Sequence, residues 1–448
     1  EAGDSTTGDG DEDVRQDRTG DDRAAAGAEL GDSRHLDGRA DDDDADGQGA
    51  DGPDLHVRRE VITRCQEQPY RKGSGYEAVD DEGDGNAFGA EVLPAFTIGV
   101  HAYDAIGKIT RHFGKKVVII GGKTALSKAK QPLLDAIAKT DLEVLGVLWY
   151  GDDATYEHVD RLLREQAVQD ADLVFAVGGG RAIDTCKVVA DRAGKALFAF
   201  PTLASNCAPS TALAVMYKAD KSFAGYYYLD QPPVHTFINM AIIADSPFKF
   251  FWAGIGDAMS KECESELASR TAEHFHTVLL GRAIGKACTA PLLQYGEQAL
   301  EDFKAKKITY ALQQVVLDII ISTGLVSNCT TGGGDYYYNS SLAHMFYNAS
   351  TVLPQVVEGH LHGETVSFGV LVLLTYDKQF ELRDQVAALY KKCHYPTTLA
   401  DLDIKADEVD SIVDAAPALT EWTCVPEPLT KEAFKKAIMD TDEFGRSL

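Results

Sequence analysis

Three residues that lie far apart along the chain have the chemistry of a metal site. Asp257 occurs in GIGDAMSKECES, a stretch with helical spacing whose inward face is otherwise apolar, and a carboxylate there needs a partner. His344 in SLAHMFYNAS and His362 in GHLHGETVSFG have a separation that suits one residue from each of two packed helices. Two imidazoles and one carboxylate leave a coordination position open, as in a catalytic zinc or iron(II) centre. His360 is a weaker neighbour, expected to support a ligand or to lie at the surface.

A second chemical signal is the glycine-rich turn in DLVFAVGGGRAIDTCK. Gly178, Gly179 and Gly180 stand between a hydrophobic strand and a helix predicted to begin near Ala182. Glycines at this point let the backbone approach a diphosphate, whose charge is favoured by the amino end of the helix. Plain tight turns use the same residues, so the prediction depends on the surrounding elements.

Those elements alternate between strand and helix patterns from Lys116 to about Asp245. Runs such as KVVIIGG, EVLGVLW and DLVFAVGGG are separated by helical patterns, which is typical of parallel βαβ units. Ligands bind beyond the carboxyl ends of such strands, where Gly121, Gly122 and the later glycines fall. From residue 246 onward helical spacing dominates. We therefore predict an α/β, Rossmann-like nucleotide-binding domain over 88–245 and an all-α metal-binding domain over 246–448, with a small-molecule site between them.

Composition narrows the class of partner. The 448 residues carry a formal net charge of -27, which argues against binding to nucleic acid or to an anionic membrane surface. No stretch approaches about 18 uninterrupted apolar residues, and eight scattered cysteines without a C-x-x-C pair indicate reduced thiols. We expect a cytoplasmic protein with a small-molecule substrate. Residues 1–87, rich in Asp, Gly and Arg, predict a disordered acidic extension or a mis-assigned translation start.

The motifs together resemble the iron-containing alcohol dehydrogenase and glycerol dehydrogenase family. The wording GGG-x-x-x-D-x-x-K, which ends at Asp184 and Lys187, is similar to the family's pyrophosphate-binding segment. The strings GIGDA, LAH and HGE resemble its metal-ligand segments and occur in the same order. The resemblance covers most of residues 88–448 and implies a dehydroquinate synthase-like fold.

A further segment, FPTLASNCAPSTALAVMY, is similar to the glycerol dehydrogenase form PT-x-AS-x-DAP-x-SAL-x-V-x-Y, which lines the nicotinamide and the substrate pocket. The matching positions are Thr202, Ser205, Val215 and Tyr217. A loop rich in Ser and Thr would explain the composition of this segment but not the order of its residues.

The resemblance implies a homo-oligomeric, metal-dependent oxidoreductase that uses NAD or NADP to interconvert a small polyol-like alcohol and its carbonyl. Because Asp257, His344 and His362 are the only ligands evident, Zn²⁺ is favoured over Fe²⁺, which other branches hold with a third histidine. Relatives often carry a second histidine where this chain has Tyr347, a phenol that could carry a proton or simply pack.

Two positions depart from the glycerol dehydrogenase pattern. Cys207, preceded by Asn206, stands where glycerol dehydrogenases have an aspartate that binds the diol, and the related hydroxycarboxylate dehydrogenases resemble this chain in having a cysteine there. A 2-oxoacid reductase is therefore the alternative, with Asn206 and Cys207 in the substrate pocket. Gly122 and Lys123 replace an aspartate that faces the adenosine ribose in NAD-specific relatives, so NADP could be accepted. A dehydroquinate synthase-like cyclase and a non-catalytic binding protein are remoter alternatives.

Overall fold

A six-stranded parallel sheet forms the first half of the protein, as the computed structural model shows. The model describes residues 94–220, 223–271, 276–332, 336–426 and 429–448, so the predicted extension over 1–87 lies outside the described residues. The strands of the sheet, in chain order, are β1 (Phe96–Gly99), β2 (Lys116–Gly121), β3 (Glu143–Trp149), β4 (Leu173–Gly178), β5 (Ala196–Pro201) and β8 (His235–Asn239). Their spatial order is β1-β8-β5-β4-β2-β3, and every adjacent pair is parallel.

The central strands are buried on both faces, which explains their uninterrupted apolar sequence. Along β4, Leu173, Phe175 and Val177 pack into one cluster, while Val174 and Ala176 pack into the cluster on the opposite face. This alternation follows from the two-residue period of an extended chain. The helices that accompany the sheet are α1 (Ile106–Thr110), α2 (Lys123–Ile137), α3 (Tyr156–Leu163), α4 (Gln166–Asp170) and α5 (Gly180–Ala193).

An antiparallel ribbon, which the sequence analysis did not predict, projects from this half. It consists of β6 (Leu213–Tyr217) and β7 (Phe223–Tyr228). In the sequence, LAVMY was interpreted only as part of a pocket-lining segment, not as a strand. The short strands β1 and β8 were not predicted either. Helix α5 begins at Gly180, two residues before the predicted start near Ala182.

The second half is helical, as predicted. Its elements are α6 (Met240–Ala244), α7 (Phe248–Ala258), α8 (Ser260–Ser269), α9 (His276–Lys304), α10 (Tyr310–Leu317), a π-helical turn (Asp318–Ser322), α11 (Thr323–Thr330), α12 (Leu342–Ser350), α13 (Pro354–Gly359), α14 (His362–Tyr376), α15 (Phe380–Cys393), α16 (Val409–Ala415) and α17 (Lys431–Ser447). Helix α14 is buried along almost its whole length and forms the centre of this bundle. The described residues fall in one compact unit, so a boundary at 245–246 stays a prediction.

One stretch among the described residues, Tyr310–Thr330, is long and apolar enough to cross a membrane by length and composition alone. Its mean hydropathy is 1.4, and 67% of the window is buried inside the protein. It packs against α9 as a core helix does.

Candidate active site

The glycine turns after β2 and β4 lie side by side at the carboxyl edge of the sheet. Gly121 pairs in register with Val177, and a Cβ on Gly121 would lie 2.5 Å from the Val177 carbonyl oxygen. Gly178 has φ +156, a conformation that favours glycine, and its Cβ would lie 2.7 Å from that of Ala182. Gly179 and Gly180 then open α5. In the space that the missing side chains leave, Ala182, Leu203 and the Asn206 amide group pack against the turn at the amino end of α5. That this turn binds a diphosphate stays a prediction.

Asp184 and Lys187, which the resemblance implies as cofactor residues, are buried beneath the β6–β7 ribbon. The Lys187 ammonium donates to the Asp184 carboxylate at 3.1 Å, to Thr211 at 2.9 Å and to the Leu213 carbonyl at 2.5 Å. The other Asp184 oxygen accepts from the Val215 amide at 3.3 Å. These contacts indicate that the pair positions the ribbon against α5.

The ribbon places one further predicted residue above the turn. The Tyr217 ring lies 4.7 Å from the guanidinium carbon of Arg181, the first side chain after the glycines. Burial raises the pKa of Tyr217 to about 12, so its phenol stays protonated at neutral pH.

The segment 202–207 connects the glycine turn to the helical half. The Thr202 amide donates to the Gly178 carbonyl at 3.0 Å, and the Asn206 amide group packs against Gly180. On its other side the loop touches α7, where a Cβ on Gly254 would overlap the Ala204 carbonyl oxygen and would lie 2.9 Å from the Cα of Ser205. The glycine turn at Gly178 to Gly180, the proposed cofactor turn, and the helix that carries Asp257 therefore both contact this one loop.

The three residues predicted to hold a metal meet at one point. Asp257 near the end of α7, His344 in the first turn of α12 and His362 at the start of α14 offer ligand atoms that all lie within 4.8 Å of one another. One oxygen of Asp257 is 3.0 Å from Nε2 of His362 and 3.4 Å from Nε2 of His344. The structure therefore brings together residues that span more than a hundred positions of sequence.

Glycines allow the helices to approach closely enough for this meeting. On α7, a Cβ at Gly256 would overlap the Gly363 carbonyl oxygen, and on α14 a Cβ at Gly363 would overlap the Ala253 carbonyl oxygen. Gly369 has the same relation to the Ala343 carbonyl of α12. The motifs GIGDA and HGE thus contain both the predicted ligands and the small residues that let their helices touch.

Glu264 on α8 is a site residue that the sequence analysis missed. Its fully buried carboxylate lies 2.6 Å from Nδ1 of His344 and accepts from the backbone amides of Ser341 at 2.9 Å and His344 at 2.8 Å. A carboxylate on the far nitrogen leaves Nε2 for a metal and fixes the ring orientation. The signal was present, because Glu264 follows Asp257 by two helical turns and so shares its face.

The cluster is strongly polarised. Burial acts to raise the pKa of Asp257, but the imidazoles of His362 and His344 outweigh it and hold that pKa well below its ordinary value. Burial acts to lower the pKa of His344, but the carboxylates of Glu264 and Asp257 raise it to about 10. The site thus favours positive charge at its centre, whether a proton or a cation.

The donor set fits a divalent metal ion. In a tetrahedral zinc site with bonds of 2.0–2.1 Å, neighbouring ligand atoms lie about 3.3 Å apart. The two separations from Asp257, 3.0 and 3.4 Å, agree with that spacing, and the Glu264 contact supplies the outer carboxylate that metal-bound histidines commonly have.

The two predicted neighbours of the cluster differ in their contacts. Tyr347 meets the ring of His362 edge to face, with centroids 4.3 Å apart, and burial raises the pKa of its phenol. His360 instead bonds Glu364 at 3.0 Å and Asp403 at 3.2 Å, so it helps to fix the start of α14.

Gly122, Lys123 and Cys207 mark the departures from the glycerol dehydrogenase pattern. A Cβ on Gly122 would come no closer than 3.5 Å to Tyr150, so a larger side chain would fit there. The Lys123 ammonium lies 4.2 Å from the ring centroid of Trp149 at the end of β3. Cys207 is half-buried, and burial raises the pKa of its thiol, which argues against a nucleophilic role.

A parallel α/β sheet with two adjoining glycine turns, joined by one loop to a helical Asp-His-His cluster, defines a nicotinamide- and metal-dependent oxidoreductase. The family model for iron-containing alcohol dehydrogenases matches residues 94–235. Hydroxycarboxylate dehydrogenase A of Escherichia coli is 31% identical over 334 residues, which cover 73% of this chain and 90% of that protein. Glycerol dehydrogenase of Thermotoga maritima is 29% identical over 306 residues, 66% of this chain and 81% of that one.

Among solved structures, a probable glycerol dehydrogenase from Sinorhizobium meliloti superposes with a TM-score of 0.69 at 26% identity, over 80% of this chain and 99% of that one. The chain belongs to the iron-containing alcohol dehydrogenase family. It is an enzyme that acts on CH–OH groups with a nicotinamide cofactor. The predicted fold and family are confirmed.

Proposed function

We propose that this chain catalyses metal-dependent, NAD(P)-linked interconversion of a small polyol-like alcohol and its carbonyl, with Zn²⁺ held by Asp257, His344 and His362. One observation carries the proposal: the Asp-His-His cluster adjoins the loop that packs on the cofactor turn. A hydride transfer between substrate and nicotinamide requires the two ligands to be neighbours.

The bound metal would polarise the C–O group of the substrate and favour its ionised form. The chain's own residues have complementary tasks. Glu264 holds His344 in one orientation, and the glycine turn and segment 202–207 place the nicotinamide. Tyr347, against the His362 ring, is positioned to orient the hydroxyl that loses its proton.

NADP is a cofactor that this site could accept alongside NAD. Gly122 removes the acidic side chain that repels a 2′-phosphate, and a Cβ there would stand in ordinary van der Waals contact, 3.5 Å from Tyr150. Lys123 lies over Trp149, whose carbonyl accepts from Arg161 at 2.8 Å, so two cations flank the carboxyl ends of β2 and β3.

By resemblance to the family, we propose a cytoplasmic homo-oligomer.

A 2-hydroxy acid and its 2-oxo acid form a second candidate substrate pair. The specific observation is Cys207, a neutral side chain in the loop that packs on α7, where glycerol dehydrogenases carry an aspartate. The similarity to hydroxycarboxylate dehydrogenase A of Escherichia coli supports the same candidate.

The proposal is tested with the full chain. Metal content is measured first, and NADH and NADPH oxidation is then followed with hydroxyacetone, 2-oxo acids and aldehydes, and glycerol oxidation in reverse. We expect turnover that a chelator abolishes and that added Zn²⁺ restores. The proposal is wrong if no substrate is turned over and His362→Ala binds metal as well as the parent.

A further inference from the structure

A buried lysine lies on the same helical face as the metal-binding carboxylate. Lys261 follows Asp257 by one turn and precedes Glu264 by one turn, in the nearly continuous helices α7 and α8. Asp257 and Glu264 both contact His344, so the stripe between them faces the candidate metal centre. Lys261 is 6% exposed, which is rare for this residue type.

The charge of Lys261 is not neutralised by contact. Its ammonium donates to the backbone carbonyl of Asn339 at 3.1 Å and to the side-chain oxygen of Asn339 at 2.7 Å. Within the part of the chain that the structure describes, these neutral oxygens are its hydrogen-bond partners, and no carboxylate lies at ion-pair distance. An ammonium has three donors, so one remains for a ligand. A buried cation without a counter-ion is costly unless an anion reaches it.

Lys261 also interacts electrostatically with Cys207 in segment 202–207. Burial raises the pKa of the Cys207 thiol, and the charges of Lys261 and Asp257 are close enough to act on that thiol in opposite directions. Cys207 follows Ala204 and Ser205, which pack against Gly254 on α7, the helix that leads into Lys261. With a neutral thiol in place of an acid, nothing contributed by Cys207 repels an anion from this part of the site.

We propose that Lys261 binds the carboxylate of the substrate and so selects 2-oxo and 2-hydroxy acids over diols. This inference rests on the proposed function and favours its second candidate substrate pair, the 2-hydroxy and 2-oxo acids, at that same site. The carbonyl or hydroxyl carbon next to the carboxylate would face Asp257, His344 and His362, and the carboxylate would take the free donor of Lys261. Lys261 is thus a specificity-determining residue.

The test compares two substrates with the same carbon skeleton, pyruvate and hydroxyacetone, which differ in a carboxylate against a hydroxymethyl group. For Lys261→Met, we expect the ratio of kcat/KM for pyruvate to that for hydroxyacetone to fall about 10- to 100-fold, because one charge-assisted hydrogen bond is lost. The loss should appear mainly in KM for pyruvate. Lys249→Met, the same change at an exposed position on α7, should leave the ratio at the parent value.

A second variant does not depend on removing the lysine. Asn339→Asp places a carboxylate on the Lys261 ammonium and neutralises it in place, so the same ratio should fall in the same direction. Binding of oxamate, a non-reacting analogue of pyruvate, is measured by calorimetry. The parent should bind it, and Lys261→Met should bind it at least about tenfold more weakly at equal metal content.

The outcomes separate this inference from the proposed function. If the parent reduces hydroxyacetone but neither reduces pyruvate nor binds oxamate, the oxidoreductase proposal stands and the role of Lys261 is overturned. Equal losses for both substrates in Lys261→Met would show a structural role and also overturn it. If the parent turns over no substrate and His362→Ala binds metal as well as the parent, the proposed function fails, and Lys261-dependent oxamate binding alone then supports or overturns the carboxylate site.

Discussion

The proposed cofactor turn and the metal cluster use glycine to bring different kinds of partners together. At Gly178 to Gly180 the missing side chains leave room for Ala182, Leu203 and Asn206, which lie a short distance further along the chain, at the amino end of α5. At Gly256 and Gly363 the missing side chains allow α7 and α14 to pack in direct backbone contact, so that Asp257 and His362 can meet. The first device is local in sequence, whereas the second exists only when two helices pack. The two regions should therefore fail separately when they are mutated.

The largest expected effect is the loss of a ligand from the cluster. Asp257→Asn removes the carboxylate that both histidines contact, so we expect the bound metal to be lost and turnover to fall about 1000-fold or more. NADPH binding, followed by fluorescence, should stay within about threefold of the parent because the turn is untouched. Asp414→Asn, at an exposed carboxylate on α16 that pairs with Lys431, is the control. Unchanged metal stoichiometry in Asp257→Asn would contradict the assignment.

The second prediction concerns a substitution in the proposed cofactor turn. Gly178→Ala forces a side chain into φ +156 and against Ala182, a strain of about 1–3 kcal/mol. We expect the dissociation constant for the cofactor to rise about 10- to 100-fold while metal content stays at the parent value. Loss of metal in this variant would show that the two regions are coupled through segment 202–207.

Glu264→Gln tests the carboxylate behind the cluster. Replacing its charge weakens the hold on His344 without changing the shape of the side chain, so metal affinity should fall about 10- to 100-fold. Competition with a chelating dye measures the affinity. The assignment fails if affinity is unchanged while the variant remains folded.

Gly363→Ala tests the contact between helices. Its Cβ would overlap the Ala253 carbonyl and lie 3.0 Å from the Cβ of Asp257, so we expect a loss of about 1–3 kcal/mol in the free energy of unfolding, and weaker metal binding. Gly359→Ala is the matched control, since a Cβ there meets nothing within 4 Å. Equal stability of the two variants would refute the close-approach argument.

The smallest effect concerns acid stability in the half that carries the sheet. Burial lowers the pKa of His235 to about 4, whereas an unfolded histidine has a pKa of about 6.5. As pH falls from about 6.5 to 4, the unfolded chain binds a proton at this histidine that the folded chain does not bind. The free energy of unfolding therefore decreases as the pH is lowered. His235→Gln should reduce this loss by about 1–2 kcal/mol between pH 7 and 5, measured by denaturant unfolding. An unaltered pH slope would exclude His235 as its source.

Several elements could be predicted from local pattern, and others could not. The strands that contain VVII and VFAV read as strands because they are apolar on both faces. The edge strand β1 was missed because it is short and pairs with β8, which lies far away in sequence. The ribbon β6–β7 is a hairpin between neighbouring segments, and its first strand was interpreted only as part of a pocket-lining segment. Asp184 and Lys187 were expected to bind the cofactor. Their contacts with Leu213 and Val215 of the ribbon could not be predicted, because the ribbon itself was not predicted.

The sequence by itself determined the family and the order of the α/β and helical halves, and it predicted three metal ligands, because each is written in residue types at local spacing. Only the tertiary structure decided that Asp257, His344 and His362 converge, that Glu264 supports His344, and that Lys261 is buried without a neutralising contact. The physical reason is that those properties belong to distances between helices. Such distances are set by which glycines and side chains meet when the bundle packs, and local spacing does not encode them.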